Sequence, residues 1–378
     1  MLDWIFFAET SVRWAILKTL DGLFSKGIRL GPLRSFRDRN EIFKNKSEII
    51  SETDLFKFYG KENHIKTFIS GKVDYLPACH FISPAESKSK RITLRWNDEK
   101  RILSRKVSSF TEPLLDDLRK SGKKRNHLFD GEPFCINKIE FHDNEISITF
   151  SRCSYFDSLR THFSPDIILE GTTLRRKLLN DSHQLPQLGS EDLTWHMGVV
   201  GMTETSDNKL IFQLRSRFVA NRPNSISASF SGTIEGNDLL ELESDQDGLN
   251  RIIQSLNREC LKELGVHFYD KKSPPIFLGG IREYYRLGFP DFYFYSHIEK
   301  SSTSITKEAL MAEERSEFHK LIFFDFNSRA FLENPRTYRS AFDSSVKKIA
   351  DELRRRGNIT AIIGISLLYE ELIRQSDN

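Results

Sequence analysis

One segment constrains the fold of this 378-residue chain more than any other, an amphipathic helix that lies between strand-like runs. Residues 247–264 carry apolar side chains at three- and four-residue steps, which places them along one face of a helix: Leu249, Ile252, Ile253, Leu256, Cys260 and Leu264. Gly265 follows, at the place where many helices end in glycine. A helix between extended runs is typical of an α/β fold.

Alternating apolar and polar residues predict two β-hairpins. Residues 134–141 and 146–150 alternate on either side of a short polar turn. Residues 197–203 and 209–217 form a second pair of strand-like runs, also joined by a polar turn. Such paired runs with a turn signal between them predict antiparallel strands.

The length of the chain exceeds what one hydrophobic core usually organises, so we expect more than one domain. Apolar residues make up 38% of the sequence, which excludes a largely disordered chain. The segment 185–190 contains proline and glycine and is a predicted linker. We therefore divide the chain into four parts: an amphipathic helix (1–30), an N-terminal α+β domain (31–190), a third part (191–335) and a C-terminal helical extension (336–378).

Charge identifies no partner, because 56 basic and 53 acidic side chains give a formal charge of only +3. Residues 86–125 are more basic, with 13 Lys or Arg against 6 Asp or Glu. The cluster between Arg119 and Arg125 could contact phosphates. A solvent-facing helix that turns Leu114, Leu115 and Leu118 inward is the favoured interpretation, so nucleic acid is not an expected partner.

The N-terminal segment and the cysteines bear on location. Residues 1–30 contain no uninterrupted apolar stretch of the roughly 18–20 residues that a membrane span needs. The expected amphipathic helix either docks on the protein, which is favoured, or lies on a membrane surface. No basic region precedes the apolar residues 4–8, so we expect no secretory signal. Four widely separated cysteines indicate a reduced, cytoplasmic protein.

Two acidic residues of the predicted helix, Glu259 and Glu263, are four residues apart and therefore share one face. Two carboxylates at this spacing repel each other unless a positive group lies between them. A divalent cation is one solution, and the neighbouring Arg258 and Lys262 are another. Oxygen ligands favour Mg²⁺ or Mn²⁺ over zinc.

The same helix carries a recognisable motif. Residues 258–266, R-E-C-L-K-E-L-G-V, resemble the second half of the Nudix box, R-E-U-x-E-E-x-G-U, where U is an apolar residue. Residues 232–238 resemble its first half, with Asp238 in place of the glutamate. The resemblance covers about Trp195 to Phe326. It implies a Nudix α/β/α sandwich with a mixed sheet, joined to the N-terminal α+β domain.

The chain departs from the Nudix box in two ways. Nineteen residues lie between Asp238 and Arg258, where the box has seven. We therefore expect an inserted surface loop over residues 239–248. Lys262 stands where the box has a glutamate, which removes one metal ligand and adds an ammonium group. This substitution is compatible both with hydrolysis and with nucleotide binding without hydrolysis.

The resemblance implies a Mg²⁺-dependent (or Mn²⁺-dependent) hydrolase in which water cleaves the pyrophosphate bond of a nucleoside diphosphate linked to another moiety. ADP-ribose-like compounds and dinucleotides are the first substrate candidates. Glu259 and Glu263 are the implied metal ligands, and Arg258 would orient a carboxylate. Acids upstream of a predicted strand, Glu314 or Glu317, are candidates for the general base. The residues expected to bind substrate are Gly232, Lys262, Arg215 and Arg217.

Alternatives remain for several parts of the chain. A catalytically weak or inactive Nudix module could bind a nucleotide signal and regulate through the N-terminal half. The aromatic run Phe289–Tyr295 favours a core strand with alternate rings buried over a surface for a stacked base. His196 is expected to be structural. Two predicted C-terminal helices either pack on the Nudix core or form the face of a homodimer.

Overall fold

Capping side chains accept backbone hydrogen bonds at the start of most of the described helices. The computed structural model describes residues 47–67, 74–122, 130–179, 184–217, 219, 222–234, 248–269 and 273–377. The predicted N-terminal helix (1–30), the basic residues 123–125, Asp238 and the predicted insertion up to residue 247 lie outside the described residues. The side chains of residues 121 and 122 also lie outside them.

The described helices are α1 Glu52–Tyr59, α2 Pro84–Ser89, α3 Arg105–Gly122, α4 Tyr155–Arg160, α5 Leu174–Leu179, α6 Gly248–Leu264, α7 Ser302–Ala309, α8 Ser328–Glu333, α9 Pro335–Arg356 and α10 Ile359–Ser376. The strands are β1 Ile65–Thr67, β2 Asp74–Leu76, β3 Ala78–Ile82, β4 Arg91–Trp96, β5 Phe134–Phe141, β6 Glu145–Arg152, β7 Gly198–Glu204, β8 Lys209–Arg215, β9 Ile226–Ser227, β10 Phe230–Thr233, β11 Ile276–Glu283, β12 Phe289–His297 and β13 Phe318–Asp325.

The largest sheet is mixed. Its strands follow the order β13–β8–β7–β12–β11–β3, while β10 pairs with β7 and β9 pairs with β8. Strands β7 and β12 are parallel, and the other pairs are antiparallel. The protein is thus of the mixed α/β class, as the sequence predicted.

Helices cover both faces of this sheet. Successive residues of a strand point to opposite faces, and Val199 and Val200 of β7 belong to two different core clusters. Val199 lies in the cluster that contains the apolar stripe of α6. Val200 lies in the cluster with apolar residues of α9 and α10. The two C-terminal helices therefore pack on the sheet, which is the first of the two arrangements expected for them.

The N-terminal half contributes to the same sheet and the same core. Strand β3 pairs with β11 and forms the edge of the large sheet. A second sheet, β4–β6–β5, contains the predicted hairpin at 134–150, and its apolar residues share a core cluster with α6 and β7. Residues Phe36–Asn378 form one compact unit. The predicted domain boundary between residues 190 and 191 thus separates two stretches of sequence whose side chains pack into a shared core.

Helix α3 has the predicted orientation, since Leu114, Leu115 and Leu118 are buried. Pro113 lies within this helix. Within the described part of the chain, no helix combines the length and the apolarity needed to cross a membrane.

A buried guanidinium joins the N-terminal half to the β11–β12 turn. Arg175 is fully buried and makes a two-pronged ion pair with Asp166 at 2.6 and 2.9 Å. It also donates to the Tyr59 hydroxyl at 2.6 Å. Its remaining hydrogen bonds go to the carbonyls of Tyr284 and Tyr285, each at 2.7 Å. These bonds fix the turn that precedes a set of charged residues described below.

Replacing Arg175 by methionine should lower the free energy of unfolding by about 3–5 kcal/mol, because it leaves the Asp166 carboxylate and two carbonyls without their partner. Urea denaturation measures this change. The neighbouring Arg176 pairs with Glu48 at the surface, so Arg176→Met is the matched control and should cost less than about 1 kcal/mol. Equal losses in the two variants would contradict a special role for the buried guanidinium.

Candidate functional site

A cleft opens where two neighbouring strands diverge. Strands β7 and β8 pair only beside their hairpin turn, at Glu204 and Leu210. Further along, β7 pairs with β10 and β8 pairs with β9 instead. A cavity of about 660 Å³ is lined by residues of these strands: Val200 of β7, Arg215 of β8 and Ser231, Gly232 and Thr233 of β10. The charged groups that the sequence or the structure assigns to the site line this cavity or contact a residue that lines it, while Arg217 is not part of the lining.

Helix α6 brings two carboxylates to this cleft. Its apolar stripe packs on the sheet, so the adjoining face that carries Glu259 and Glu263 is turned inward and both side chains are buried. Glu314, from the loop before β13, joins them, and ligand oxygens of the three carboxylates lie within 4.8 Å of one another. Among the described residues, this is the group of acidic, histidine and cysteine side chains that could hold a metal ion.

Glu263 is held from two sides. The Gln213 amide donates to one of its oxygens at 2.7 Å, and the Ser231 backbone amide donates to the other at 3.1 Å. Burial raises the pKa of the Glu263 carboxyl well above its ordinary value, and the negative charges of Glu317 and Glu259 raise it further. A positive ion at this position would relieve that repulsion.

Glu259 is positioned by an arginine and a glycine. Arg258 forms an ion pair with Glu259 and donates to the Thr233 carbonyl at 2.9 Å, which links α6 to the end of β10. Gly232 leaves the room that the Glu259 carboxylate occupies, because a Cβ atom there would lie 2.0 Å from Oε2. Arg258 and Gly232 thus both affect the position of the Glu259 carboxylate.

Lys262 and Glu314 belong to one local contact. The Lys262 ammonium lies 3.7 Å from the Glu314 carboxylate, and the Glu314 backbone amide donates to the Lys262 carbonyl at 2.8 Å. This backbone bond fixes the loop before β13 against the end of α6. Lys262 lines a shallower cavity next to the main one, together with Arg258 and Glu313.

The two arginines at the end of β8 differ in position. Arg215 lines the main cavity and its guanidinium lies 3.8 Å from the carboxylate of Glu317, which also lines the cavity. Arg217 is exposed, and it is not part of the cavity lining. The structure therefore brings together every residue predicted for the site, apart from Arg217, around α6, β8 and β10.

Four charged residues near the cavity were missed by the sequence analysis. Arg222, Arg286 and Asp291 line it, and Glu283 pairs with both arginines behind them. Arg286 also pairs with Asp291. No sequence motif predicts a role for these residues, although Asp291 lies in the aromatic run Phe289–Tyr295. The two positive and two negative groups leave this part of the cavity without a net charge.

The pKa values of the two acids of this group are shifted in opposite directions. Burial raises the pKa of Asp291 to about 6, although Arg286 opposes the shift. Burial also acts to raise the pKa of Glu283, but Arg222 and Arg286 together hold it below its ordinary value. Gly198 makes room for Asp291, since a Cβ atom there would lie 1.9 Å from Oδ1.

The N-terminal half supplies part of the cavity wall. Gly131, Glu132 and Pro133 precede β5, and Tyr155 and Phe163 lie in and just after α4. These residues reach the cavity because the two halves pack together, and no local sequence pattern predicts that packing. The aromatic run is a core strand as predicted, but β12 is buried along its whole length and not only at alternate rings. Its first ring, Phe289, also lines the cavity.

The opposite pKa shifts give a pH prediction for unfolding. A carboxyl group whose pKa is higher in the folded protein stabilises it below the unfolded pKa of about 4, and this stabilisation is lost as the pH rises through about 6. The unfolding free energy of wild type relative to Asp291→Asn should therefore fall by up to about 3 kcal/mol between pH 4 and pH 7.

Glu283→Gln is the matched control, because the lowered pKa of Glu283 reverses the sign. Relative to that variant, the wild type should gain stability as the pH rises from the lowered folded pKa to the unfolded pKa of 4.5, and the difference should then stay constant. Urea unfolding at several pH values between about 3 and 7 measures both differences. The same slope in both comparisons would contradict the assignment.

The comparisons with known proteins do not identify a family for this chain. No family model matches the sequence, and no curated protein matches it either. Among solved structures, the chain is similar to DR0079 from Deinococcus radiodurans, with 11% sequence identity and a TM-score of 0.24. The alignment covers 38% of this chain and 74% of that one. A similarity this distant carries no argument about function.

Proposed function

We propose that this chain is a divalent-metal-dependent hydrolase that cleaves the pyrophosphate bond of a nucleoside diphosphate linked to another moiety, and that its C-terminal half is a Nudix α/β/α sandwich. The observation that carries the proposal is the convergence of the Glu259, Glu263 and Glu314 carboxylates at a cavity of about 660 Å³. A cavity of that size suits a nucleotide-type small molecule such as ADP-ribose or a dinucleotide.

The donor set fits Mg²⁺ or Mn²⁺. All three groups are carboxylates, the oxygen ligands that hard divalent cations prefer. Two of the three are buried, and Glu263 lies beside two further acids whose charges oppose its own ionisation. Gly232 keeps the space beside Glu259 free of a side chain. Glu259, Glu263 and Glu314 would hold the ion.

The fold is compatible with the Nudix assignment. The glycine-bearing strand β10 precedes helix α6, and helices lie on both faces of a mixed sheet. Arg258 pairs with Glu259, and Gly232 leaves room for the same carboxylate. These features support a sandwich in which the box helix presents its acids to the cleft.

The protein's own side chains would bind and orient the substrate. Arg215, on the cavity wall beside the acidic cluster, would contact the diphosphate through charge-assisted hydrogen bonds. A bound divalent ion supplies neutralisation of the charge that develops on the diphosphate. Glu317 is the better candidate for the general base, because Glu314 belongs to the carboxylate cluster whereas Glu317 lines the cavity beside Arg215.

One observation favours the second hypothesis, a nucleotide-binding module with little or no activity. The Lys262 ammonium lies 3.7 Å from Glu314 and already supplies a positive charge next to the cluster. In such a module, nucleotide would bind without metal, and the N-terminal half that walls the cavity would transmit the signal. The two hypotheses differ in whether product is released.

Glu263→Gln should lower metal-dependent turnover by at least about 100-fold, since it removes one charged ligand from the cluster. The protein is incubated with nucleoside diphosphate compounds, with and without Mg²⁺ or Mn²⁺, and the products are separated. Glu313→Gln is the matched control, because that exposed acid lies next to the cluster but outside it. Tight nucleotide binding by wild type without any product would favour the binding module instead.

Gly232→Ala should weaken Mn²⁺ binding by about 10–100-fold, because the added Cβ atom displaces the Glu259 carboxylate. Isothermal titration calorimetry with Mn²⁺ alone measures the affinity. Ser231→Ala is the control, since it keeps the backbone amide that donates to Glu263 and adds no atom. Unchanged affinity in Gly232→Ala would contradict a role for Glu259 as a ligand.

A further inference from the structure

Two of the four cysteines lie next to each other at one end of the second sheet, β4–β6–β5. Cys135 of β5 pairs with Ser151 of β6. Cys153 follows β6 directly, and its backbone amide continues the ladder by donating to the Pro133 carbonyl at 3.0 Å. Side chains two residues apart along a strand point to the same face, so the two thiols are diagonal neighbours on one face of the sheet.

Both thiols are enclosed by the protein. The side chains of Cys135 and Cys153 are fully buried, and the two thiols interact directly. The Cys135 thiol also donates to the Ser151 carbonyl at 3.3 Å, and the Cys153 thiol donates to the Pro133 carbonyl at 3.4 Å. Two thiols placed in this way on neighbouring strands need only a short movement to form a disulfide.

The two thiols differ in acidity. Burial acts to raise the pKa of Cys135, but the Cys153 thiol, the hydrogen bonds to Ser151 and the positive charge of Arg101 outweigh it and hold that pKa below its ordinary value. Burial and the neighbouring Cys135 raise the pKa of Cys153 well above its ordinary value. Because the thiolate is the reactive form of cysteine, Cys135 is the nucleophile of the pair.

Both cysteines are bonded to the wall of the main cavity. The thiol and the backbone amide of Cys153 donate to Pro133, which lines the cavity. Cys135 forms an isolated β-bridge with His196, which lines the same cavity. A movement of either cysteine therefore shifts a residue of the cavity wall.

The strand that carries Cys135 contains an irregularity at which it can bend. The register of β5 against β6 shifts between Ile136 and Lys138, directly after Cys135. Diagonal neighbours in a sheet have Cα atoms about 7–8 Å apart, whereas a disulfide needs them within about 7 Å. Formation of the bond thus draws the two strands together by up to about 1 Å, and the adjoining cavity wall has to follow.

We propose that Cys135 and Cys153 are a site of reversible oxidation, at which a hydroperoxide converts the two thiols into a disulfide and thereby displaces the adjoining wall of the main cavity. A hydroperoxide such as hydrogen peroxide is the oxidant of choice because it is small enough to reach thiols that are fully buried. The inference does not depend on the proposed hydrolysis.

The oxidation has two steps. The Cys135 thiolate attacks one oxygen of hydrogen peroxide, the O–O bond breaks, and the departing hydroxide takes the proton of that thiol and leaves as water. The Cys153 sulfur then attacks the sulfur of the resulting sulfenic acid. The S–S bond forms, the S–O bond breaks, and hydroxide leaves with the Cys153 proton as a second water. The two thiols together give two electrons to the peroxide.

The test treats the full chain with hydrogen peroxide, alkylates the free thiols after denaturation and maps the peptides by mass spectrometry. A disulfide between Cys135 and Cys153 is expected, whereas Cys79 of β3 and Cys260 of α6 should be alkylated. Dithiothreitol should restore the reduced form. The absence of this disulfide, or disulfides that involve Cys79 or Cys260 as often, would overturn the proposal.

Two serine variants test the order of the steps. In Cys153→Ser the sulfenic acid of Cys135 has no thiol to react with, so dimedone should label it. Cys135→Ser should show at least about 10-fold less dimedone labelling, because the thiol that remains is the less acidic one. Cys79→Ser is the matched control and should form the disulfide as wild type does. Circular dichroism melting establishes that each variant is folded, and the wild-type map needs no variant. Equal labelling of the two variants would overturn the assignment of Cys135 as the nucleophile.

Hydrogen exchange of wild type measures the effect on the cavity wall. The amides of Ile136 and Met197 donate to the carbonyls of Trp195 and Phe134, each at 3.0 Å, on either side of the bridge between β5 and His196. Exchange in peptides that contain these amides should change by about 3-fold or more between the reduced and the oxidised protein. Peptides from α9 should change by less than about 2-fold. A disulfide that leaves exchange at Ile136 and Met197 unchanged would overturn the displacement of the wall.

Discussion

The divergence of β7 from β8 is the constraint on which the site depends. Because these strands pair only beside their turn, each takes a different short strand as partner further along. The backbone groups are thus satisfied while a cavity opens within the sheet. Helix α6 closes one side, and its buried acids face that space because its apolar stripe is fixed on the sheet. The position of the cavity thus depends on how these strands pair.

Buried charge is tolerated here because each carboxylate has specific partners. Glu263 accepts hydrogen bonds from a side-chain amide and a backbone amide, and Glu259 pairs with Arg258. On the other side of the cavity, two arginines and two acids neutralise one another. In the first arrangement the charges of Glu317 and Glu259 raise the pKa of Glu263, whereas in the second each acid is paired with an arginine.

The features that the sequence predicted correctly are local ones. The period of residues 247–264 and the alternation of residues 134–150 depend only on neighbouring residues, and both α6 and the β5–β6 hairpin are present. The spacing of Glu259 and Glu263 likewise requires only a helix. Asp291 could not be predicted as part of the site, because its place is set by the parallel register that puts it beside Gly198. Such a register joins distant segments and leaves no local signal.

The described residues of the N-terminal and C-terminal halves share one sheet and one core. Strand β3 completes the edge of the sheet that carries the site, and Arg175 holds the turn before Arg286 through two carbonyls. Removal of the N-terminal half would expose that edge and release the turn. It would also remove Tyr155 and Phe163 from the cavity wall. Acids of the C-terminal half and rings of the N-terminal half thus line one cavity, and a change in either half alters its wall.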